Sequence, residues 1–216
     1  MHYYLTALTI VAGICFAFGV LYLFIGLRRR DSKGPTLLFS LFALSYAAAV
    51  LTGMGNYSAS SLAEWMSSAR WDGVFVALTW CSLIWYVAAY TKVRPRLSLW
   101  LLTAVFASTA IAHVSRANLI HETIFELAYV TLPWGDQLAY AEATDSIWAT
   151  VFLVANLVTI GYVLVACALQ FRRGERRPAS VLGVGMVWFI ATIIVDISAY
   201  AADASRRKDV SYYRGP

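Results

Sequence analysis

Long apolar blocks alternate with short polar segments along the chain, and this pattern predicts a single bundle of membrane-spanning helices over residues 1–203. Each block is long enough to cross roughly 30 Å of hydrocarbon as a helix. The blocks lack the apolar–polar alternation of barrel strands, and backbone groups in lipid must be paired internally, so helices are expected. Six spans are predicted, at residues 4–27, 35–53, 71–91, 97–115, 147–171 and 179–202, with a polar tail at 204–216. The Gly-Met-Gly-Asn cluster at 53–56 is predicted to end the second span, and a loop is predicted at 57–69, in which residues 60–66 are a candidate short interfacial helix.

The longest polar segment, residues 121–146, separates the fourth and fifth spans and carries the signals of a β-hairpin. Residues 123–132 are rich in β-forming side chains, residues 133–136 read Pro-Trp-Gly-Asp, and residues 137–141 suit a short return strand. Proline fixes one dihedral of such a turn and glycine permits a positive φ, which would hold Trp134 at the tip. The sequence therefore predicts a small hairpin across the outer mouth of the bundle, with a short interfacial helix as the alternative.

The composition indicates an all-α integral membrane protein. Hydrophobic residues make up 60% of the 216 residues and charged residues 13%, whereas a soluble domain is roughly half apolar and a quarter charged. The net charge of +5 does not indicate nucleic-acid binding, because the basic residues flank the spans instead of forming one solvent-facing stripe. The expected partner is the lipid bilayer, and no nucleic acid is expected.

The uneven distribution of Lys and Arg predicts the orientation of the bundle. The loops after the first, third and fifth spans carry four, three and four of these residues, whereas the loops after the second and fourth carry only Arg70 and Arg116. Because cytoplasmic loops are enriched in Lys and Arg, the N-terminus and the hairpin are predicted to be extracytoplasmic. The tail carries four basic residues that do not fit this topology, Arg206, Arg207, Lys208 and Arg214. Either the tail contacts acidic lipid or a partner outside, or a seventh span follows.

Polar and ionisable residues within or beside the spans are costly to place in lipid and are therefore candidate functional residues. Asp196 is deep in the sixth span, His113 is near the outer end of the fourth, and Asp72 opens the third. Asn156 lies about two and a half turns into the fifth span from the outside. All map to the outer half of the bundle, which predicts a polar pocket beneath the Pro-Trp-Gly-Asp turn. The predicted ligand- or partner-binding residues are Asp72, His113, Arg116, Trp134, Asp136, Asn156 and Asp196.

Structural roles compete with binding at most of these positions. Asp72 and Arg116, at span ends, are more often solvated or snorkelling end residues than ligand contacts. His113 and Asn156 are more often interhelical hydrogen-bonding residues. Asp196 must pair with another group, and Arg116 and His113 are the candidates. Such a pair is about equally consistent with a structural role and with a ligand-responsive switch.

The sequence contains no catalytic constellation. The HExxH, GxSxG and phosphate-loop patterns are absent. All three lysines lie outside the predicted spans, which argues against a retinal Schiff base. His113 is the one histidine within a span, which argues against a b-type haem. The protein is therefore predicted to be non-enzymatic, with no catalytic residue, cofactor or metal.

Several short motifs occur in the order found in one family of signalling proteins. Residues 70–72 (Arg-Trp-Asp) open the third span, residues 85–91 (Trp-Tyr-Val-Ala-Ala-Tyr-Thr) precede the basic turn 94–96, and residues 132–136 (Leu-Pro-Trp-Gly-Asp) follow the β-like segment. Over about residues 1–203 the chain thus resembles the N-terminal seven-helix membrane sensor region of bacterial histidine-kinase and PAS signalling proteins. The resemblance implies sensing of small or membrane-soluble signals at the bacterial cytoplasmic (inner) membrane. It also implies a seventh helix and an output domain, and the sequence pattern predicts neither.

Two functional hypotheses follow. The first is a polytopic receptor-like module that binds a signal or partner at its extracytoplasmic face and passes helix shifts to the cytoplasmic side. The second is a non-catalytic structural or assembly subunit of a larger respiratory or photosynthetic membrane complex. The first predicts a small hydrophobic ligand, and the second predicts partner membrane protein subunits.

Overall fold

The computed structural model describes residues 3–28, 33–115, 121–132, 135–174, 180 and 183. These ranges contain five helices and one two-stranded sheet, and all five helices are long and apolar enough to cross a membrane. In chain order the elements are α1 (Tyr3–Arg28), α2 (Lys33–Tyr57), α3 (Leu62–Thr91), α4 (Arg96–Ser115), β1 (His121–Thr131), β2 (Gln137–Asp145) and α5 (Ile147–Arg172). The mostly helical class and the hairpin are confirmed. The predicted sixth span and the polar tail fall almost wholly outside the described residues.

Consecutive helices run in opposite directions, so the bundle has two chemically different ends. The hairpin end holds the sheet and the first turns of α1, α3 and α5, and the opposite end is here called the basic end. The acidic residues described at the hairpin end are Glu64, Asp72, Glu122, Glu126, Asp136, Glu142 and Asp145. The basic residues described at the basic end are Arg28, Lys33, Lys92, Arg94, Arg96, Arg172 and Arg173.

The start of α3 differs from the prediction. Residues 57–69 were predicted to form a loop, with residues 60–66 as a candidate short interfacial helix, before a span beginning at residue 71. In the structure α2 continues to Tyr57, and one continuous helix, α3, begins at Leu62. Ser61 caps α3, since its hydroxyl accepts a hydrogen bond from the backbone N–H of Glu64 at 3.3 Å. The Glu64 carboxylate in turn accepts bonds from the backbone N–H and the hydroxyl of Ser60, at 2.9 and 2.7 Å. These bonds satisfy the Glu64 N–H of the first turn and the Ser60 N–H just before the cap, and they fix the helix start nine residues before the predicted one.

Ser61→Ala is expected to lower the free energy of unfolding by about 1 kcal/mol, because it removes the side-chain acceptor at this cap. Denaturant titration of the purified protein measures the loss. Ser108→Ala is the matched control, since the exposed Ser108 hydroxyl donates only to the carbonyl of Val105 in its own helix. Equal stability of the two variants would show that the cap is unimportant.

The core lies where α3, α4 and α5 meet. Phe106 of α4 is fully buried. Its ring stacks on Trp80 of α3 with centroids 6.1 Å apart, and meets Phe152 of α5 edge-on at 5.8 Å. Such aromatic contacts contribute beyond the area they bury. The three helices therefore form one packed unit.

By contrast, α1 packs along α2 and exposes much of its remaining surface. Their approach is close at Gly19, where an added Cβ would lie 2.7 Å from the Leu44 side chain. The hydroxyl of Ser40 donates to the Gly19 carbonyl at 2.7 Å. Small residues thus allow the two helices to contact each other through their backbones.

The hairpin lies across its end of the bundle, as predicted, but its strands are longer than the sequence indicated. The return strand was predicted at 137–141 and continues to Asp145, where it pairs with His121. Gly135 adopts φ +93°, and its N–H donates to the carbonyl of Leu132 at 2.8 Å. On the inner face, Ala139 packs with Ala59 and Trp65 in a small apolar cluster. Because this cluster joins β2 to α3 and the preceding loop, the sheet is held by the helices beneath it.

Candidate functional site

A cavity of about 170 Å³ lies beneath the hairpin, between the turns of α2, α3, α4 and α5 that are nearest the hairpin end. Five of its lining residues come from α3 at helical spacing, so one face of that helix forms a wall. The lining residues are Asn56, Trp65, Ala69, Asp72, Gly73, Val76, Thr109, His113, His121 and Phe152. Apolar and aromatic walls with a few polar groups are typical of small-molecule sites.

His113 is the most deeply buried polar residue of this cavity, with 2% of its surface exposed. Neither ring nitrogen has a hydrogen-bond partner among the described residues. The imidazole lies flat against Gly73, where an added Cβ would come within 2.5 Å of both Cε1 and Nε2. An unpaired buried polar group costs about 1–3 kcal/mol. His113 therefore lines the cavity with a buried polar group that the described residues leave unpaired.

Asp72 occupies a different environment from the one predicted. It was expected to open the span as an end residue, but it lies ten residues after Leu62, about 15 Å along α3. Its carboxylate accepts hydrogen bonds from the Asn56 amide at 3.2 Å and the Thr52 hydroxyl at 3.4 Å, both on α2. Asp72 is thus an interhelical residue that also lines the cavity.

The nearest basic side chain on α3 is directed away from the cavity. Arg70 donates from its guanidinium to the backbone carbonyl of Val114, in the last turn of α4. Cations near a helix C-terminus are favoured by the helix dipole, and the carbonyls of a last helical turn are the ones that accept bonds from outside the helix. Arg70 therefore ties α3 to α4 instead of neutralising Asp72.

The cover of the cavity is formed by Trp65 and His121. Trp65 is 8% exposed, and its ring centroid lies 6.0 Å from that of His121 on β1. Nδ1 of His121 lies 3.4 Å from a carboxylate oxygen of Asp145 on the paired strand, an ion-pair distance without hydrogen-bond geometry. The hairpin therefore contributes to the wall of the cavity through His121.

The structure brings together two of the seven predicted site residues, Asp72 and His113. Asp136 lies elsewhere, buried at the hairpin turn, where its carboxylate accepts a 2.8 Å hydrogen bond from the backbone N–H of Tyr4. Asn156 does not line the cavity and lies one turn along α5 from Phe152. Its Oδ1 has no hydrogen-bond partner within the described ranges. The remaining predicted residues, Arg116, Trp134 and Asp196, lie outside the described residues.

Sequence reasoning missed Asn56, Trp65, Gly73 and His121. The Ser-x-x-Glu pattern that ends at Glu64 is the signal that could have located two of them, Trp65 and Gly73, because it marks a helix start. Extending α3 back to that start places Trp65 and Gly73 on the face that carries Asp72. His121 carries no local signal, since it reaches the cavity through the fold of the hairpin.

No family model and no curated protein sequence matches the chain. Within the described ranges, no group of three or more His, Cys, Asp or Glu side chains is placed to hold a metal ion. The cavity is therefore interpreted from its own geometry.

Proposed function

We propose that the chain is a polytopic receptor-like module of the bacterial cytoplasmic membrane, with its ligand site in the cavity beneath the hairpin. The observation that carries the proposal is the buried His113 imidazole, which lines this cavity while both ring nitrogens lack partners among the described residues. A small ligand with hydrogen-bonding groups would satisfy these atoms. Packing alone leaves their desolvation uncompensated.

The position of the cavity suits a receptor. Its walls come from four helices and the sheet, so a bound molecule would contact elements that also reach the opposite end of the bundle. A ligand that binds one arrangement of these elements more tightly shifts the population towards that arrangement. The distribution of Lys and Arg supports a cytoplasmic basic end and, with it, an extracytoplasmic cavity.

The test measures the stability of the full chain in nanodiscs with ethanol, acetamide, acetate and methylammonium added separately. At ten times its Kd, a ligand that binds only the folded state raises the free energy of unfolding by about 1.4 kcal/mol. We expect at least one solute to do so. Ala69→Leu, which extends a cavity-lining side chain into the space, should abolish the gain.

Ala104→Leu is the matched control, because Ala104 is exposed on α4 and does not line the cavity. It should retain the full gain in stability. If none of the four solutes stabilises the protein, or if Ala69→Leu responds as Ala104→Leu does, the cavity is not a ligand site and the proposal fails.

A further inference from the structure

We infer that the ligand of this cavity is a small organic cation carrying an ammonium group. The inference rests on the proposed function for the existence of the site and adds the chemical class of the ligand. Three features carry it: the balance of hydrogen-bond donors and acceptors, the charge of the lining, and its aromatic walls.

Most of the polar groups at the cavity that could still bond a ligand are hydrogen-bond acceptors. The Asn56 amide nitrogen donates to Asp72 at 3.2 Å, which leaves its Oδ1 as a buried acceptor with no partner in the described part of the chain. A neutral imidazole always presents one acceptor nitrogen, so His113 adds a second. The Asp72 carboxylate can accept more bonds than the two it receives. A molecule with several N–H donors fits this set.

The charge of the lining points in the same direction. Both hydrogen-bond partners of Asp72, the Thr52 hydroxyl and the Asn56 amide, are neutral. No Lys or Arg is among the described lining residues, and the Arg70 guanidinium is bonded to the Val114 carbonyl. A carboxylate taken out of water normally pairs with a cation, and here a cationic ligand would supply that charge. An anion would be repelled by the same carboxylate.

The aromatic side chains and the size of the cavity narrow the class further. Trp65 and Phe152 are both in the lining, and the face of an aromatic ring attracts an ammonium group. At about 170 Å³ the space is small. One water occupies roughly 30 Å³ in the liquid, so the ligand is an amine of only a few heavy atoms.

Methylammonium chloride is titrated into the full chain in nanodiscs, and binding is followed by tryptophan fluorescence. The added methylammonium chloride replaces an equal amount of sodium chloride, so the total salt concentration stays constant. Methanol and sodium acetate serve as the neutral and anionic probes. We expect saturable binding of methylammonium, with no saturation by the other two. Asp72→Asn should weaken the affinity at least tenfold, because it removes the one acidic group of the lining.

Glu126→Gln is the matched control, since Glu126 is exposed on β1 and outside the cavity. It loses the same charge and should retain wild-type affinity. If Asp72→Asn does not fold, Asn56→Ala replaces it. That variant keeps the carboxylate but removes the amide oxygen, and should weaken binding severalfold.

The outcomes separate the two proposals. The ammonium assignment is overturned if Asp72→Asn binds methylammonium as tightly as the wild type does. Where Asn56→Ala is the variant used, equal affinity of that variant and the wild type overturns it in the same way. Saturable binding of methanol or acetate alone, lost in Ala69→Leu, would also overturn it while leaving the receptor proposal intact. If sodium competes with methylammonium at equal concentration, the site prefers an inorganic cation and the assignment fails. If none of the three probes binds, the ammonium assignment fails, and stabilisation by ethanol or acetamide then decides whether the receptor proposal stands.

Discussion

Gly73→Ala is expected to destabilise the protein and to abolish binding in the cavity. The new Cβ would lie 2.5 Å from Cε1 and Nε2 of His113, closer than nonbonded atoms approach. The imidazole is buried, so it must move into the cavity or push α4 away from α3. Overpacking of this kind costs about 1–3 kcal/mol. Denaturant unfolding measures the cost, and methylammonium titration of the same sample measures the loss of the site.

Gly13→Ala provides the comparison. Gly13 is exposed in the middle of α1, and no described residue lies within 4 Å of the position its Cβ would take. Alanine in a helix is favoured over glycine by about 0.5–1 kcal/mol, so this variant should be as stable as the wild type or slightly more stable. If Gly73→Ala matched it in both stability and binding, the contact between Gly73 and His113 would have no consequence.

Phe106→Ala is expected to give the largest loss of stability, about 3–5 kcal/mol. The phenyl ring is fully buried and contacts Trp80 and Phe152, so its removal leaves a void where three helices meet. Chemical unfolding followed by circular dichroism measures the change. Phe106 does not line the cavity, so the variant tests the core separately from the site.

Phe125→Ala is the control for this substitution. The same side chain is 65% exposed on β1, where its removal creates no void. The expected change is within about 0.5 kcal/mol. A comparable loss in both variants would mean that hydrophobic area alone, and not packing between helices, determines the effect.

The elements that the sequence predicted well have unambiguous chemical boundaries. The observed α1, α4 and α5 match the predicted spans to within one residue at each end, because charged residues or the hairpin strands flank the apolar blocks. The turn of the hairpin was located by its Pro-Trp-Gly-Asp order. The α2–α3 connection was misread because Gly53 and Gly55 suggested a helix end. In the structure, Gly55 lies within α2 and leaves room for Ser68 of α3.

The site was predicted only in part, for a related reason. Asp72 and His113 stand out in sequence because ionisable groups are rare in apolar blocks. Their partners do not stand out: Asn56 lay in a supposed turn, and Trp65 in a supposed loop. His121 reaches the cavity because two strands pair and fold back over α3, a long-range contact that no local pattern encodes. Local periodicity therefore identified the helices but not the surfaces at which they meet.

The hydrogen bond between Asp136 and the first turn of α1 makes that helix a rigid extension of the hairpin. It joins the hairpin turn to Tyr4 at 2.8 Å, and α1 then runs for 26 residues to Arg28. At 1.5 Å per residue this is about 39 Å, the full depth of the bundle. A helix is stiff along its axis, so displacing the hairpin turn must either break this bond or move Arg28 at the opposite end.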